Sequence, residues 1–181
     1  VSKVNVLLAA MLDAAVDDGL ILLNPAKKKR TVNPPSSSQV RAQKPEIVTW
    51  TGPQLHAFLA WNRDELNDEL FPLWRTLAYT GMRRSQALAL RWSDVNFTTA
   101  RISLRRAVDV ALPNTTRVTK TGSARVIDID AETLRVLKAL KSDRGAISLD
   151  LARADAYVFG DDSGAIRAPD AVTSRWTRRL D

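Results

Sequence analysis

Apolar residues recur every three or four positions in several stretches of the chain, and Gly, Pro and Ser separate these stretches. The first stretch runs from Val4 to Ala15 with its apolar positions on one face, which predicts a helix that ends near Gly19. Thr51 and Gln54 have the spacing of a capping box and predict the start of a second helix. Further helices are predicted near Pro72, after Gly81, after Asp130 and from Pro169.

The spacing of the apolar residues changes from helical to alternating after the helix that is predicted to follow Gly81. Residues 101–105 alternate polar and apolar side chains, which is typical of a half-buried strand. Residues 116–120 and 125–129 predict two more strands, joined at 121–123 by a tight hairpin turn. Residues 143–155 show no clear period and predict a loop. The expected fold class is α+β and mainly helical, with a small three-stranded antiparallel sheet.

A linker separates two domains in this pattern. The apolar face of the first helix is too small to make a core alone, so we expect it to pack on helices outside this chain. Residues 25–45 contain four prolines and a run of three serines, which disfavour regular structure. The sequence therefore predicts the end of a helical domain at 1–24, a basic Pro/Ser-rich linker at 25–46 and a second domain at 47–181.

Charge changes this picture by indicating a polyanionic partner. The 181 residues carry a formal net charge of +7, and four of the basic residues lie together at Lys27, Lys28, Lys29 and Arg30. Lysine and arginine release counterions from a phosphate backbone, so this charge favours a polyanionic partner, although many basic proteins bind no nucleic acid. The linker is then either a solvated connector or a basic strap along DNA. With no cysteine, no disulfide or thiolate metal site can form, and no apolar run approaches the roughly 18 residues of a membrane span.

The stretch from Thr80 to Val95, TGMRRSQALALRWSDV, carries the most specific motif. It resembles the first signature box of tyrosine recombinases of the phage-integrase kind, in which a helix ends in Thr-Gly and an arginine follows one residue later. The arginine falls on Arg83. The family also has a lysine in a strand turn downstream, and the stretch TKTGSARVIDI resembles that region and puts the lysine at Lys120.

The resemblance extends over nearly the whole chain in the order that the family shows. Residues 14–25 resemble the end of the helical core-binding (SAM-like) domain. Residues 157–159 and 168–172 resemble the segment just before the second signature box. The resemblance implies site-specific DNA recombination, by cleavage and rejoining through a 3′-phosphotyrosyl intermediate. It also implies double-stranded DNA as the partner and a homotetramer that acts on two duplexes in the cytoplasm, without metal or other cofactor.

The chemistry agrees with the roles that the resemblance implies. Arg83 would grip the scissile phosphate, because a guanidinium keeps its charge and can donate two hydrogen bonds to one phosphate. Lys120 would protonate the departing 5′ oxygen as a general acid. Arg84 and the cluster at 27–30 are further candidates for contacts to the DNA backbone. The second-box residues and the nucleophilic tyrosine would follow Asp181, so this chain alone is expected to bind DNA without cutting it.

Other interpretations stay open at these positions. Arg83 also fits a surface arginine that pairs with a carboxylate, and Lys120 fits an ordinary hairpin lysine. The family usually has an acidic residue where this chain has Gln86, which adds no charge to support the arginine. Tyr79 and Tyr157 are interpreted as core residues. The helices around Gly81 also fit a helix-turn-helix, so a non-enzymatic DNA-binding module is the alternative function, and a decayed recombinase is a third.

Overall fold

Two compact units make up the chain, Val1–Thr49 and Trp50–Asp181. The computed structural model describes residues 2–27, 37–42, 48–109, 112, 115–118 and 125–180. The division falls close to the predicted start of the second domain. Within these described ranges, no helix is long and apolar enough to cross a membrane.

The first unit is organised around helix α1 (Ser2–Asp17). Its apolar side chains stay in contact with solvent, and Met11 is 70% exposed. Within the first unit, no core covers the apolar face of this helix among the described residues. After α1 the chain folds back, and the side-chain amide of Asn24 donates to the Ala9 carbonyl oxygen at 2.8 Å. A 3-10 turn at Pro25–Lys27 and helix α2 (Ser37–Ala42) follow.

Helices form most of the second unit, and their ends match the caps that the sequence predicted. They are α3 (Gly52–Asp64), α4 (Phe71–Thr80), α5 (Arg84–Leu88), α6 (Ala131–Ile147) and α7 (Pro169–Leu180). The capping box is confirmed, because the Gln54 side chain accepts from the Thr51 backbone N–H at 2.8 Å and the Thr51 hydroxyl accepts from the Gln54 N–H at 3.4 Å. Asp130 caps α6 with its carboxylate, which accepts from the backbone N–H groups of Glu132 and Thr133.

The strands pair differently from the prediction. They are β1 (Val95–Asn96), β2 (Arg101–Leu104), β3 (Arg106–Val108), β4 (Thr116–Val118) and β5 (Arg125–Asp128). A three-stranded antiparallel sheet forms in the order β1-β2-β5, and β3 pairs with β4 in a separate ladder. The predicted ladder between the last two strands is therefore wrong for the described residues. Only Arg105 separates β2 from β3, so β5 and β4 pair with successive segments of one extended stretch. The predicted turn at 121–123 lies outside the described residues.

The core lies between the helices and the small sheet. Leu73, Leu88, Ile102, Leu137 and Val158 have at most 1% of their surface exposed and join α4, α5, β2 and α6 to the run at 157–159. Aromatic side chains extend this core between α3, α4 and α7. The Trp176 ring lies 5.1 Å from the ring of Phe58 and 5.4 Å from that of Trp74, between centroids.

Two further predictions are corrected. Helix α5 ends at Leu88, and Trp92 begins a separate 3-10 turn (Trp92–Asp94) instead of continuing the helix. The predicted loop at 143–155 is largely ordered, because α6 runs on to Ile147 and a 3-10 turn follows at Leu149–Ala152. Arg144 explains the extension, since its buried guanidinium donates to the carbonyl oxygens of Gly160 and Asp161 at 3.1 and 2.8 Å.

Candidate nucleic-acid interface

The turn that carries Arg83 is held in place by the residues around it. Gly81 adopts a left-handed conformation (φ +60°) that ends α4, a backbone state that favours glycine. The Thr80 hydroxyl donates to the Thr76 carbonyl oxygen at 2.5 Å and accepts from the Met82 N–H at 3.4 Å. Met82 is buried, with 5% of its surface exposed. Each residue of the Thr-Gly-x-Arg motif thus contributes to one fixed turn, which presents Arg83 to solvent.

Gln86 supports this turn in a way that needs no charge. Its side-chain oxygen accepts from the backbone N–H of Arg83 at 2.9 Å, as a Glu or Gln three residues into a helix does in a capping box. We therefore interpret the residue at this position as a helix cap rather than as an ionic partner of the arginine. The substitution of glutamine for the usual carboxylate leaves that capping function intact.

The guanidinium of Arg83 makes no ion pair with any carboxylate in the described part of the chain. The competing interpretation, a surface arginine neutralised by an acidic neighbour, therefore finds no support there. Two other exposed arginines, by contrast, each have a carboxylate nearby. Arg101 pairs with Asp128 at 2.7 Å, and Arg117 lies 3.7 Å from Asp109.

Arg84 makes a contact within the protein. Its guanidinium donates to the hydroxyl of Thr173 in α7, and the side chain is half-buried. Arg84 therefore joins the end of the motif to α7. This contact leaves its predicted role at the DNA backbone without direct support.

The Leu-x-Trp-x-Asp ending of the motif anchors the turn to the sheet. The Asp94 carboxylate is buried, accepts from the Arg91 backbone N–H at 3.0 Å and pairs with Arg106 of β3 at 2.5 Å. The indole N–H of Trp92 donates to the Leu151 carbonyl oxygen at 2.9 Å. These bonds connect α5, β3 and the turn after α6, so the Arg83 turn has a rigid support.

Of the remaining predicted site residues, the structure describes only Lys27. Lys120 lies outside the described residues, between the end of β4 and the start of β5 along the chain. Lys28, Lys29 and Arg30 also lie outside them. Lys27 pairs with Asp13 at 2.8 Å, and the two side chains are 65% and 42% exposed. This is a surface pair of the kind that contributes little to stability, so it does not remove Lys27 from consideration as a DNA contact.

A group of polar residues beside the motif was missed by the sequence interpretation. Tyr79, interpreted as a core residue, is 39% exposed, and its hydroxyl lies 2.8 Å from Nε2 of His56. The guanidinium carbon of Arg75 lies 4.2 Å from the centre of the Tyr79 ring. Arg75 also pairs with Asp130 at 2.8 Å. The available signal was local, since an arginine and a tyrosine four positions apart share a helix face.

The similarity of this chain to known proteins lies in its fold. No family model matches the sequence, and no curated protein matches it. Among solved structures, the chain is similar to the integrase of transposon Tn1549 in complex with circular intermediate DNA. The TM-score is 0.73 at 20% identity, over 99% of this chain and 57% of the integrase.

A second complex of that integrase gives a TM-score of 0.70 at 20% identity, over 95% of this chain and 55% of the integrase. XerA recombinase gives 0.52 at 17% identity, over 75% of this chain and 43% of the recombinase. The chain therefore spans about half the length of the structures that it matches. At such identities the likeness establishes the fold, and the predicted fold class is confirmed. The chain has the fold of the corresponding part of the tyrosine recombinases Tn1549 integrase and XerA.

Proposed function

We propose that this chain is the DNA-contacting part of a site-specific tyrosine recombinase, an integrase of a phage or another mobile element. Residues 1–24 would end the core-binding domain, 25–46 would link it, and 47–181 would begin the catalytic domain. The observation that carries the proposal is Arg83. Its guanidinium is exposed, it is held by a fixed turn, and no carboxylate of the described residues neutralises it.

An arginine presented in this manner suits a phosphate. Its planar fork can donate to two oxygens of one phosphate group, and charge that builds on those oxygens during cleavage would be stabilised. Lys120 would protonate the departing 5′ oxygen. A tyrosine of the intact protein would form the 3′-phosphotyrosyl bond, and the 5′ hydroxyl of the partner strand would later reverse it. The intact protein would act as a tetramer on two duplexes in the cytoplasm.

The two tyrosines of this chain have other partners. The Tyr157 side chain is half-buried, and its hydroxyl lies 3.4 Å from the Arg91 guanidinium. The guanidinium carbon of Arg91 lies 5.2 Å from the centre of the Tyr157 ring. Tyr79 is bonded to His56. Both lie outside the family's order for the nucleophile, so the isolated chain should form no covalent bond with DNA.

A helix-turn-helix module is disfavoured as the alternative. The helix after Gly81 has only five residues, and Ala87 and Leu88 within it are buried. A recognition helix would have to expose one face to the major groove over more than one turn. Helix α5 is too short and too deeply packed for that role.

Binding of this chain to a short DNA duplex, measured at several salt concentrations, tests the proposal. Affinity should fall steeply with salt, and Arg83→Ala should weaken binding by about three- to tenfold and reduce the salt slope by about 1. Arg153→Ala is the control, because Arg153 is equally charged and exposed but lies 3.3 Å from Asp150. Equal losses in the two variants would refute a specific phosphate contact at Arg83.

Cleavage is tested in the intact recombinase with a suicide duplex substrate. Arg83→Ala should nearly abolish formation of the covalent protein–DNA adduct there, and a fully active variant would overturn the role given to Arg83. The 181-residue chain should form no adduct at all. An adduct on this chain would contradict the view that the nucleophile lies elsewhere.

A further inference from the structure

Arg75 connects the helix that carries the Arg83 turn to a distant part of the chain. It lies in α4, six residues before Gly81, and its guanidinium donates to Oδ1 of Asp130 at 2.8 Å, across 55 residues of sequence. The Arg75 side chain is 12% exposed, whereas that of Asp130 is 39% exposed. A guanidinium that is largely buried has lost most of its hydration, and the carboxylate partner has to compensate for that loss.

The Asp130 carboxylate is held in place by further hydrogen bonds. Its carboxylate accepts from the backbone N–H groups of Glu132 at 3.1 Å and of Thr133 at 3.0 Å, and the Thr133 hydroxyl also donates to it. Burial raises the pKa of Asp130, but the hydrogen bonds from Thr133 and the bond to Arg75 outweigh burial and hold the pKa below its ordinary value. The carboxylate therefore stays charged at neutral pH and keeps both the cap and the ion pair.

Asp130 and Lys120 lie on either side of strand β5 in the sequence. Lys120 precedes β5 by five residues, and Asp130 follows the end of β5 by two. The backbone N–H of Ile129 donates to the Ala100 carbonyl oxygen at 2.9 Å, which holds this junction against the sheet. The Arg75–Asp130 pair thus joins α4 to the exit of β5.

Arg75 also contacts Tyr79, which lies next to the Thr80–Arg83 motif in the sequence. The guanidinium lies over the Tyr79 ring at 4.2 Å, a distance at which a cation and an aromatic face attract. Tyr79 occupies the last turn of α4, and its hydroxyl reaches His56 of α3. Arg75 therefore links α4 to Asp130 and packs on Tyr79 within the same helix, immediately before the turn that presents Arg83.

We propose that Arg75 is a positioning residue that sets the place of the Arg83 guanidinium at the phosphate, through its ion pair with Asp130 and its contact with Tyr79. This inference rests on the proposed function, in which Arg83 binds a phosphate of DNA. Without Arg75, the end of α4 loses its ion pair with the β5–α6 junction. Arg83 then keeps its charge but donates to the phosphate less well.

A double-mutant cycle on binding of the 181-residue chain to a short duplex tests the coupling. Arg83→Ala is measured alone and in the Arg75→Met and Asp130→Asn backgrounds. The second background is informative if Arg75→Met fails to fold, because asparagine caps a helix as well as aspartate does but removes the ionic partner. Arg83→Ala should weaken binding by about three- to tenfold in the wild type and by less than about twofold in either background, since coupled sites are not additive.

The matched control is Arg135→Met. Arg135 lies near the start of α6 and, like Arg75, pairs with a carboxylate, that of Glu132, but its side chain is 66% exposed. The control removes one positive charge, as Arg75→Met does, and should leave the full effect of Arg83→Ala in place. A purely structural or long-range electrostatic role of Arg75 would give the same factor for Arg83→Ala in every background, which would refute positioning alone. If Arg83→Ala has no effect in the wild type, the proposed phosphate contact fails, and positioning fails with it.

Discussion

Asp68 anchors α7 to the rest of the second unit, and its removal is a sharp test of how this unit is held together. The Asp68 side chain is fully buried and accepts from the Leu70 backbone N–H at 2.9 Å and from the Trp74 indole at 3.4 Å. It also pairs with Arg175 at 2.6 Å and with Arg179 at 3.2 Å, both in α7. We expect Asp68→Ala to destabilise the unit strongly.

The magnitude follows from burial and from the partners that remain. Removing one member of a buried ion pair costs about 3–5 kcal/mol, because the other charge is left without compensation. Arg175 and Arg179 keep about a quarter of their side-chain surface exposed, and Arg175 still pairs with Glu69 at 2.7 Å. The loss should therefore fall near the lower limit, at about 3 kcal/mol.

Urea denaturation followed by tryptophan fluorescence measures this change. All five tryptophans lie between positions 50 and 176, so the signal reports on the second unit. With a slope of about 2 kcal/mol per molar urea, a loss of about 3 kcal/mol lowers the midpoint by about 1.5 M. The control is Asp64→Ala, because Asp64 and Arg63 form a pair at 2.7 Å that is about half exposed. That variant should lose about 1 kcal/mol or less.

Equal losses in the two variants would refute this reasoning. Such a result would mean that the desolvation of Asp68 cancels its hydrogen bonds and ion pairs. The pH dependence gives a second measurement. Burial raises the pKa of Asp68, but the bonds from Leu70 and Trp74 and the charge of Arg175 outweigh it, so the pKa lies below its ordinary value. The stabilisation is present above the unfolded pKa of about 3.9 and is lost as the pH falls through the folded value. The stability difference between wild type and Asp68→Asn should therefore shrink in acid.

Three further changes test the support of the Arg83 turn. Gln86→Glu should keep the stability of the unit, whereas Gln86→Ala should lose about 1 kcal/mol in urea denaturation, because only glutamate still accepts from the Arg83 N–H; equal loss in both would contradict the cap. Trp92→Phe should lose about 1–3 kcal/mol, because the Leu151 carbonyl oxygen loses its buried donor; an unchanged midpoint would contradict this. Gly81→Ala should lower the thermal midpoint by an amount equivalent to about 1–2 kcal/mol, since a left-handed residue with a Cβ is strained; no shift would show that the turn can relax.

Local chemistry determined much of this protein from its sequence. The capping box at Thr51, the cap at Asp130 and the helix break at Gly81 depend on residues at most three positions apart, so they were predicted correctly. The motif that singled out Arg83 is local in the same sense, because its residues all act within one turn, and the role of Arg83 at a phosphate stays a prediction. The mainly helical class followed from the period of the apolar side chains.

Tertiary structure decided what depends on distant partners. The pairing of β4 with β3 rather than β5 is a choice between strands of similar pattern, and alternation alone does not distinguish them. The extension of α6 to Ile147 depends on carbonyl groups that Arg144 reaches 16 and 17 residues later. The Arg75–Asp130 pair spans 55 residues, and only folding brings an α4 side chain to a helix cap beyond the sheet. Sequence therefore identified the arginine at the candidate site, whereas the contacts that hold its turn in place arose from packing between elements far apart in the chain.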